Sequence, residues 1–149
     1  MNETKLPSTK RKALAIVLCV AAVLCAAILL RSCGEKAPDL SETEGRQAYL
    51  AGLGIEIDCA SEDIRTVQLP ETLDGTLRSY ADLQLEQGFD LAGHLGQQCQ
   101  QVTYRVTNWP DADQTVLVTL YIQDKELIAG DLHSTALNGF LQGLTMDRP

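Results

Sequence analysis

A run of 18 residues near the N-terminus, Ala13–Leu30 (ALAIVLCVAAVLCAAILL), contains no charged residue and no proline. As a helix rising about 1.5 Å per residue it would be roughly 27 Å long, close to the ~30 Å apolar thickness of a bilayer. A helix in the core of a small domain is amphipathic, whereas this run is apolar on every side. We therefore predict a transmembrane helix over residues 13–30.

Basic residues flank this run unequally. Lys10, Arg11 and Lys12 precede it, whereas only Arg31 and Lys36 follow it closely. Because positively charged flanks stay in the cytoplasm, we expect the N-terminus inside the cell and a single pass through the cell membrane. The predicted organisation is a cytoplasmic basic tail (1–12), the transmembrane helix (13–30), a tether (31–41) and an extracytoplasmic domain (42–149).

Cys33 raises lipid attachment as an alternative. A bacterial lipoprotein is cleaved before a cysteine that follows small neutral residues, a pattern that Leu30 and Ser32 fit. Arg31, however, places a charge between them, and the apolar run is longer than the roughly 7–15 residues typical of a cleaved signal. The sequence favours an uncleaved anchor, with lipidation of Cys33 as the alternative.

Two of the five cysteines, Cys59 and Cys99, fall in the predicted extracytoplasmic domain. An oxidising compartment permits a disulfide between them, which would close a loop of about 40 residues and stabilise the domain by roughly 3–4 kcal/mol. Two cysteines alone carry no framework pattern, so two free thiols are an equal alternative.

Charge is divided along the chain. Residues 1–33 carry five basic side chains and one acidic one, a net charge of +4, and residues 34–149 carry a net charge of −12. An acidic domain repels the phosphates that dominate affinity for nucleic acid, so no nucleic-acid partner is expected.

Periodicity and turn residues divide the domain into elements. Ser41 and Glu44 have the spacing of a capping box, which predicts a helix over about residues 42–53 ending at Gly54. Short strands are predicted over 55–58 and 64–69, separated by a polar loop, and Pro70 suits the first position of a second helix reaching about Gln87.

The clearest pattern comes next. Alternating runs at 102–107 and 116–122 surround a Pro/Asp-rich turn, which predicts an antiparallel hairpin. A turn at Asp124-Lys125 leads to a strand over 126–132, and Ser134 is placed to cap a closing helix. The apolar stripe expected for that helix is Leu137, Phe140, Leu141 and Leu144.

This order predicts an α+β fold in which the helices pack on one face of an antiparallel sheet. The other face, which carries Thr103, Arg105, Thr119 and Tyr121, is expected to be wet.

Three segments carry a resemblance to a known family. EQGFDL (86–91), VTYRVTNWP (102–110) and VLVTLYIQDKELIAGDLHS (116–134) are similar to an uncharacterised bacterial family, the domain of unknown function 4830 (DUF 4830). The resemblance covers about residues 44–144. It implies a small membrane-anchored protein of Gram-positive bacteria and supplies no catalytic residues.

No motif in the domain predicts catalysis, a metal site or a cofactor. Asp131, His133 and Ser134 supply the residue types of a hydrolase, but His133 and Ser134, as neighbours on a strand, would point to opposite faces. His94, His133, Cys59 and Cys99 are scattered singly and lack zinc-ligand spacing.

The remaining candidates are surface side chains. Trp109 lies at the predicted hairpin tip, where it would either anchor a partner or fold onto the sheet edge. Arg105, Thr119 and Tyr121 form a second candidate binding surface. We predict a membrane-anchored binding or regulatory module that contacts an envelope protein, a peptide or the cell wall. The alternatives are a small envelope hydrolase or peptidase-inhibitor-like module using Asp131 and His133, and a structural accessory subunit of an envelope complex.

Overall fold

The computed structural model describes residues 38–145. The predicted transmembrane helix and Cys33 lie outside this range. Within it, no helix is long and apolar enough to span a bilayer. The elements are α1 (Thr43–Gly52), β1 (Ile57–Gln68), α2 (Gly75–Glu86), a 3₁₀ turn (Leu91–His94), β2 (Gln98–Val106), β3 (Val116–Gln123), β4 (Glu126–Ser134) and β5 (Leu141–Gly143).

The five strands form one sheet in the order β1-β2-β3-β4-β5, with every neighbouring pair antiparallel. Two helices pack against this sheet, so the α+β fold class is confirmed. The predicted hairpin is confirmed as β2–β3, with Thr103 opposite Thr119. The turn before β4 is also confirmed, since Asp124 and Lys125 both adopt positive φ.

The two faces of the sheet carry different layers, which corrects the prediction that both helices share one face. Tyr104 and its same-face neighbours pack under α1, because Leu50 of α1 lies in their cluster and Arg46 bonds the Tyr104 hydroxyl. Side chains of the opposite face, including Tyr121, pack with Ala81 of α2. We call the face that packs under α1 the core face and the face that packs with α2 the groove face. The residues that cluster with α1 on the core face are Val102, Tyr104, Val106, Val116, Val118, Leu120, Ile122 and Leu132.

The two predicted short strands are one strand. β1 runs continuously from Ile57 to Gln68, and its register with β2 shifts between Asp58 and Asp63. The polar segment predicted as a loop is therefore a bulge. A bulge absorbs extra residues within a strand pair, which periodicity alone reads as a break.

Both helix starts differ from the prediction. The capping box does not form, because the Ser41 hydroxyl donates to Asp39 instead and the N-cap position is Glu42, without a side-chain cap. The second helix begins five residues after Pro70, where the Asp74 side chain accepts a hydrogen bond from the Leu77 N–H. Its end is as predicted, since Gly88 adopts φ +88° just beyond it.

The predicted closing helix is wrong. Residues 141–143 form β5, which pairs with the free edge of β4, and the Ser134 N–H donates to the Phe140 carbonyl across the hairpin. The spaced apolar residues do not form one stripe: Leu144 is buried in the core, whereas Leu137 is fully exposed. Edge pairing satisfies backbone groups of β4 that a helix here would have left open.

Candidate functional site

A groove of about 860 Å³ lies between α2 and the groove face of the sheet. Leu77 and Tyr80 of α2 form one wall, and the segment that connects β4 to β5 contributes the other. The sheet supplies a polar floor. The lining residues that carry the chemistry are Tyr80, Gln101, Thr119, Tyr121, Asp131 and His133.

Asp131 is the centre of the floor. Only 3% of its surface is exposed. One carboxylate oxygen accepts a hydrogen bond from the Tyr80 hydroxyl at 2.7 Å, and the other lies 2.8 Å from His133 Nδ1. Asp131 and His133 are two residues apart on β4, so the pleat places both side chains on the same face. Tyr80 reaches them from α2, which ties the helix to the sheet.

The electrostatics of this cluster fix where its protons lie. The hydrogen bond to Asp131 raises the pKa of His133 above 6.5, although burial acts against it. Burial also raises the pKa of Tyr80 far above its usual value, and the Asp131 carboxylate adds to the effect. Tyr80 therefore keeps its proton and donates a hydrogen bond to Asp131. The His133 ring carries a proton on Nδ1, which leaves Nε2 as an acceptor when the ring is neutral and a donor when it is protonated.

His133 Nε2 is the open position of the cluster. Among residues 38–145 no hydrogen-bond partner contacts it, and the side chain is 30% exposed. Tyr121 contributes a second open position, because its hydroxyl accepts from Gln101 Nε2 at 3.0 Å and keeps its own proton to donate. The rings of Tyr80 and Tyr121 meet edge to face, with centroids 6.2 Å apart.

The structure places the predicted binding residues in three environments. Thr119 and Tyr121 line the groove, and neither is fully wet, since Thr119 is buried and Tyr121 is half-buried. Arg105 lies on the same face outside the groove and pairs with Asp58. Trp109 is partly buried and stacks on Phe140 with ring centroids 4.9 Å apart.

In the structure Cys59 and Cys99 are free thiols. Cys99 stands opposite Val67, and Cys59 follows Asp58, which stands opposite Arg105. Cys99 and Arg105 are six positions apart on β2, roughly 20 Å along a strand. A disulfide needs Cα atoms within about 7 Å, so these strands hold the two cysteines apart.

A second polar cluster lies on the core face and is closed. Arg46, 1% exposed, donates to the Tyr104 hydroxyl at 2.7 Å, to Glu62 at 2.8 Å and to the carbonyl of Leu40 at 2.9 Å. Tyr104 also donates to Glu62. The guanidinium group thus donates its hydrogen bonds within the protein, which indicates a structural role.

Sequence reasoning named Asp131 and His133 only as the residues of an alternative hydrolase, and it missed Tyr80 and the Arg46–Glu62–Tyr104 cluster. The i, i+2 spacing of Asp131 and His133 on a predicted strand was the available signal, because it places two complementary groups on one face. Tyr80 gives no comparable signal, since it is 51 residues away from Asp131 in sequence. The Arg46–Glu62–Tyr104 cluster likewise depends on contacts between α1, the bulge of β1 and β2.

The arrangement can hold a ligand or assist a proton transfer. Within the described part of the chain, no group of three His, Cys, Asp or Glu side chains is placed to hold a metal ion. Neutral His133, backed by Asp131, has the arrangement of a general base, and among the described residues no hydrogen bond joins it to Ser134. The Ser134 hydroxyl accepts from the Ala136 N–H instead.

No protein-family model matches the chain, and neither the curated proteins nor the solved structures contain a match. The resemblance to the DUF 4830 family therefore stays a prediction.

Proposed function

We propose that this protein is a binding module of the bacterial cell envelope, whose ligand or partner group occupies the groove between α2 and the sheet. The observation that carries the proposal is a polar pair, Asp131 and His133, set at the floor of an otherwise largely apolar groove. Such a combination, apolar walls with a few fixed polar groups, is typical of ligand sites.

The proposed location follows from the apolar run at 13–30 and its basic N-terminal flank. In this proposal the chain is anchored by a single pass and carries the described domain outside the membrane. Protease added to intact cells is expected to degrade the domain while a cytoplasmic control protein survives. Survival of the domain alongside degradation of a known surface protein would contradict the location.

The groove is tested with a photo-crosslinking amino acid at its rim. Leu137 is fully exposed and lines the groove, so the full chain carrying the crosslinker there should form a discrete adduct in intact cells. Leu85 is 67% exposed on α2 and does not line the groove, which makes it the matched control.

The adduct at position 137 should disappear when His133→Ala is added, because the polar anchor is then lost. Equal adducts at positions 137 and 85, or an adduct at 137 that survives the His133 substitution, would contradict binding in the groove.

A hydrolase is the second candidate, and the hydrogen-bonded Asp131–His133 pair is the observation that favours it. Neutral His133 would take a proton from water through Nε2, while Asp131 orients the ring. Hydrolysis of 4-nitrophenyl acetate should then exceed the background and fall by about 10²-fold or more in His133→Gln, the usual contribution of a general base. A rate equal in the two proteins would exclude this candidate.

A structural accessory subunit is the third candidate. It would use the sheet as a docking face, but α1 and α2 occupy opposite faces of the sheet, and the exposed Leu137 and Leu141 both lie at the groove. These observations favour the binding module.

A further inference from the structure

The charge of the groove distinguishes between classes of ligand. Asp74, Asp131 and His133 are the charged or titratable side chains, besides tyrosine, among the described residues that line it, and the lining contains no lysine or arginine. The negative charge of Asp131 is balanced only when His133 is protonated. When the ring is neutral, the floor therefore carries a net negative charge next to an open acceptor, Nε2.

The rest of the domain reinforces this field. Residues 38–145 contain 17 acidic and 5 basic side chains. Four of the five basic side chains are paired with a carboxylate: Arg46 with Glu62, Arg65 with Asp63, Arg105 with Asp58, and Lys125 with Asp39. An acidic surface with most of its positive groups already neutralised attracts cations and repels anions.

Aromatic rings complete the site. Tyr121 lies on the floor, Tyr80 in the wall that α2 forms, and Phe140 in the opposite wall. Aromatic faces attract an ammonium group and also cover an adjoining apolar chain. The groove offers an anionic ligand such as a phosphate no lysine or arginine side chain among its described lining residues.

Resting on the proposed function, we propose that the groove binds a ligand that carries a protonated amine next to an apolar group. The amine donates to Nε2 of neutral His133, Asp131 behind the ring supplies the balancing charge, and the apolar group lies between Leu77 and Phe140. A free alkyl or aryl amine and a lysine side chain in an apolar peptide share this chemistry.

This geometry makes binding depend on pH. Protonation of His133 converts Nε2 into a donor and gives the ring the same charge as the amine, so the amine is released. The titratable groups that line the groove with His133 are Asp131 on its own strand, Tyr121 from β3, Tyr80 from α2 and Asp74 at the N-cap of α2; neither residues 135–140 nor β5 contains a titratable side chain. By linkage, a bound amine must lower the pKa of His133, and one unit of that change corresponds to about tenfold in affinity.

The protein contains only two histidines, which makes this measurable in the full chain. The test uses ¹⁵N-histidine-labelled protein in nanodiscs of phosphatidylcholine, with three probes that share one ring: benzylammonium, benzoate and benzyl alcohol. His94 contacts Gln123 and does not line the groove, so it is the internal reference.

Benzylammonium should lower the pKa of His133 by about one unit, leave His94 unchanged, and bind about tenfold more weakly below the pKa of His133 than above it. Asp131→Asn should weaken binding at least tenfold. Glu86→Gln, which removes an equal charge from the exposed side of α2, should not; unchanged His94 resonances verify that the Asn variant is folded.

Other outcomes overturn the proposal. A rise in the His133 pKa caused by benzoate, with tighter binding at low pH, would make this an anion site. A response to benzyl alcohol equal to that of benzylammonium would make it a neutral site. Either result would refute the amine ligand and leave the proposal of groove binding intact. If His133 responds to none of the probes, the amine ligand is also refuted, and crosslinking at Leu137 tests groove binding separately. A second arm compares benzylammonium with an acetylated, amidated Leu-Lys-Leu peptide, which assigns the source of the amine.

Discussion

The two faces of the sheet use buried charge in opposite ways. On the core face, Arg46 directs its donors to Tyr104, Glu62, Thr43 and backbone carbonyls, so the cluster is complete within the protein. On the groove face, Asp131 is also buried and paired, but its partner His133 keeps one ring nitrogen open to the groove. The first cluster holds α1 to the sheet, whereas the second leaves a position for a ligand.

Removal of the core-face cation should have the largest effect. Arg46→Met leaves the Glu62 carboxylate and Tyr104 without their main partner, and breaking a buried pair from one side typically costs about 3–5 kcal/mol. The measurement is urea unfolding of residues 38–149. Arg105→Met is the control, since its exposed pair with Asp58 should be worth less than about 1 kcal/mol. Equal losses in the two variants would remove the distinction between a closed cluster and a surface pair.

The second largest effect concerns the approach of the chain to α1. A Cβ atom added at Gly45 would overlap the backbone carbonyl of Asp39, so Gly45→Ala must displace the segment that leads into the helix. Overpacking of this kind costs about 1–3 kcal/mol. At Gly52, near the end of the same helix, the added Cβ meets nothing within 4 Å, and Gly52→Ala should be neutral or stabilising by up to about 1 kcal/mol. A neutral Gly45→Ala variant in urea unfolding would contradict this close contact.

An effect of comparable size is expected on the groove face. Tyr80→Phe removes the hydroxyl that donates to buried Asp131 and should cost about 1–3 kcal/mol of unfolding free energy. Tyr49→Phe is the matched control, because the described residues provide no side-chain hydrogen bond for its hydroxyl. If thermal unfolding shows the same stability for both variants, Asp131 does not depend on α2.

Some contacts of the folded domain could be predicted from the sequence alone, and others could not. The β2–β3 hairpin and the turn at Asp124-Lys125 were predictable because alternation and turn chemistry are local signals. The bulge of β1 and the β4–β5 hairpin were not, since each depends on a neighbouring strand edge. The same reason applies to the site: the Asp131–His133 spacing is local, whereas the positions of Tyr80 and Tyr121 are set only when α2 and β3 pack against β4.

Acid should destabilise the core-face cluster. Burial alone would raise the pKa of Glu62, but hydrogen bonds from Tyr104, Arg46 and Thr43 outweigh it and lower the pKa below 4.5. A lowered folded-state pKa gives stability that is present above the unfolded value of about 4.5 and is lost as the pH falls through the folded value. Urea unfolding between pH 6 and 3 should therefore give a steeper loss in the native sequence than in Glu62→Gln. Parallel losses would contradict the role of Glu62.

The groove face should respond to pH with the opposite sign. The hydrogen bond to Asp131 raises the folded pKa of His133 above its unfolded value of 6.5. Its contribution to stability is therefore fully present below about pH 6.5 and is lost as the pH rises through the folded pKa. This is the smallest of the effects, because the ring is partly exposed and remains hydrogen-bonded to Asp131 when neutral. The free energy of unfolding should decline across this window in the native sequence and stay level in His133→Gln. If the free energy of unfolding also declines in His133→Gln, another group titrates in this window. The proton on His133 would then not account for the difference between the groove face and the core face.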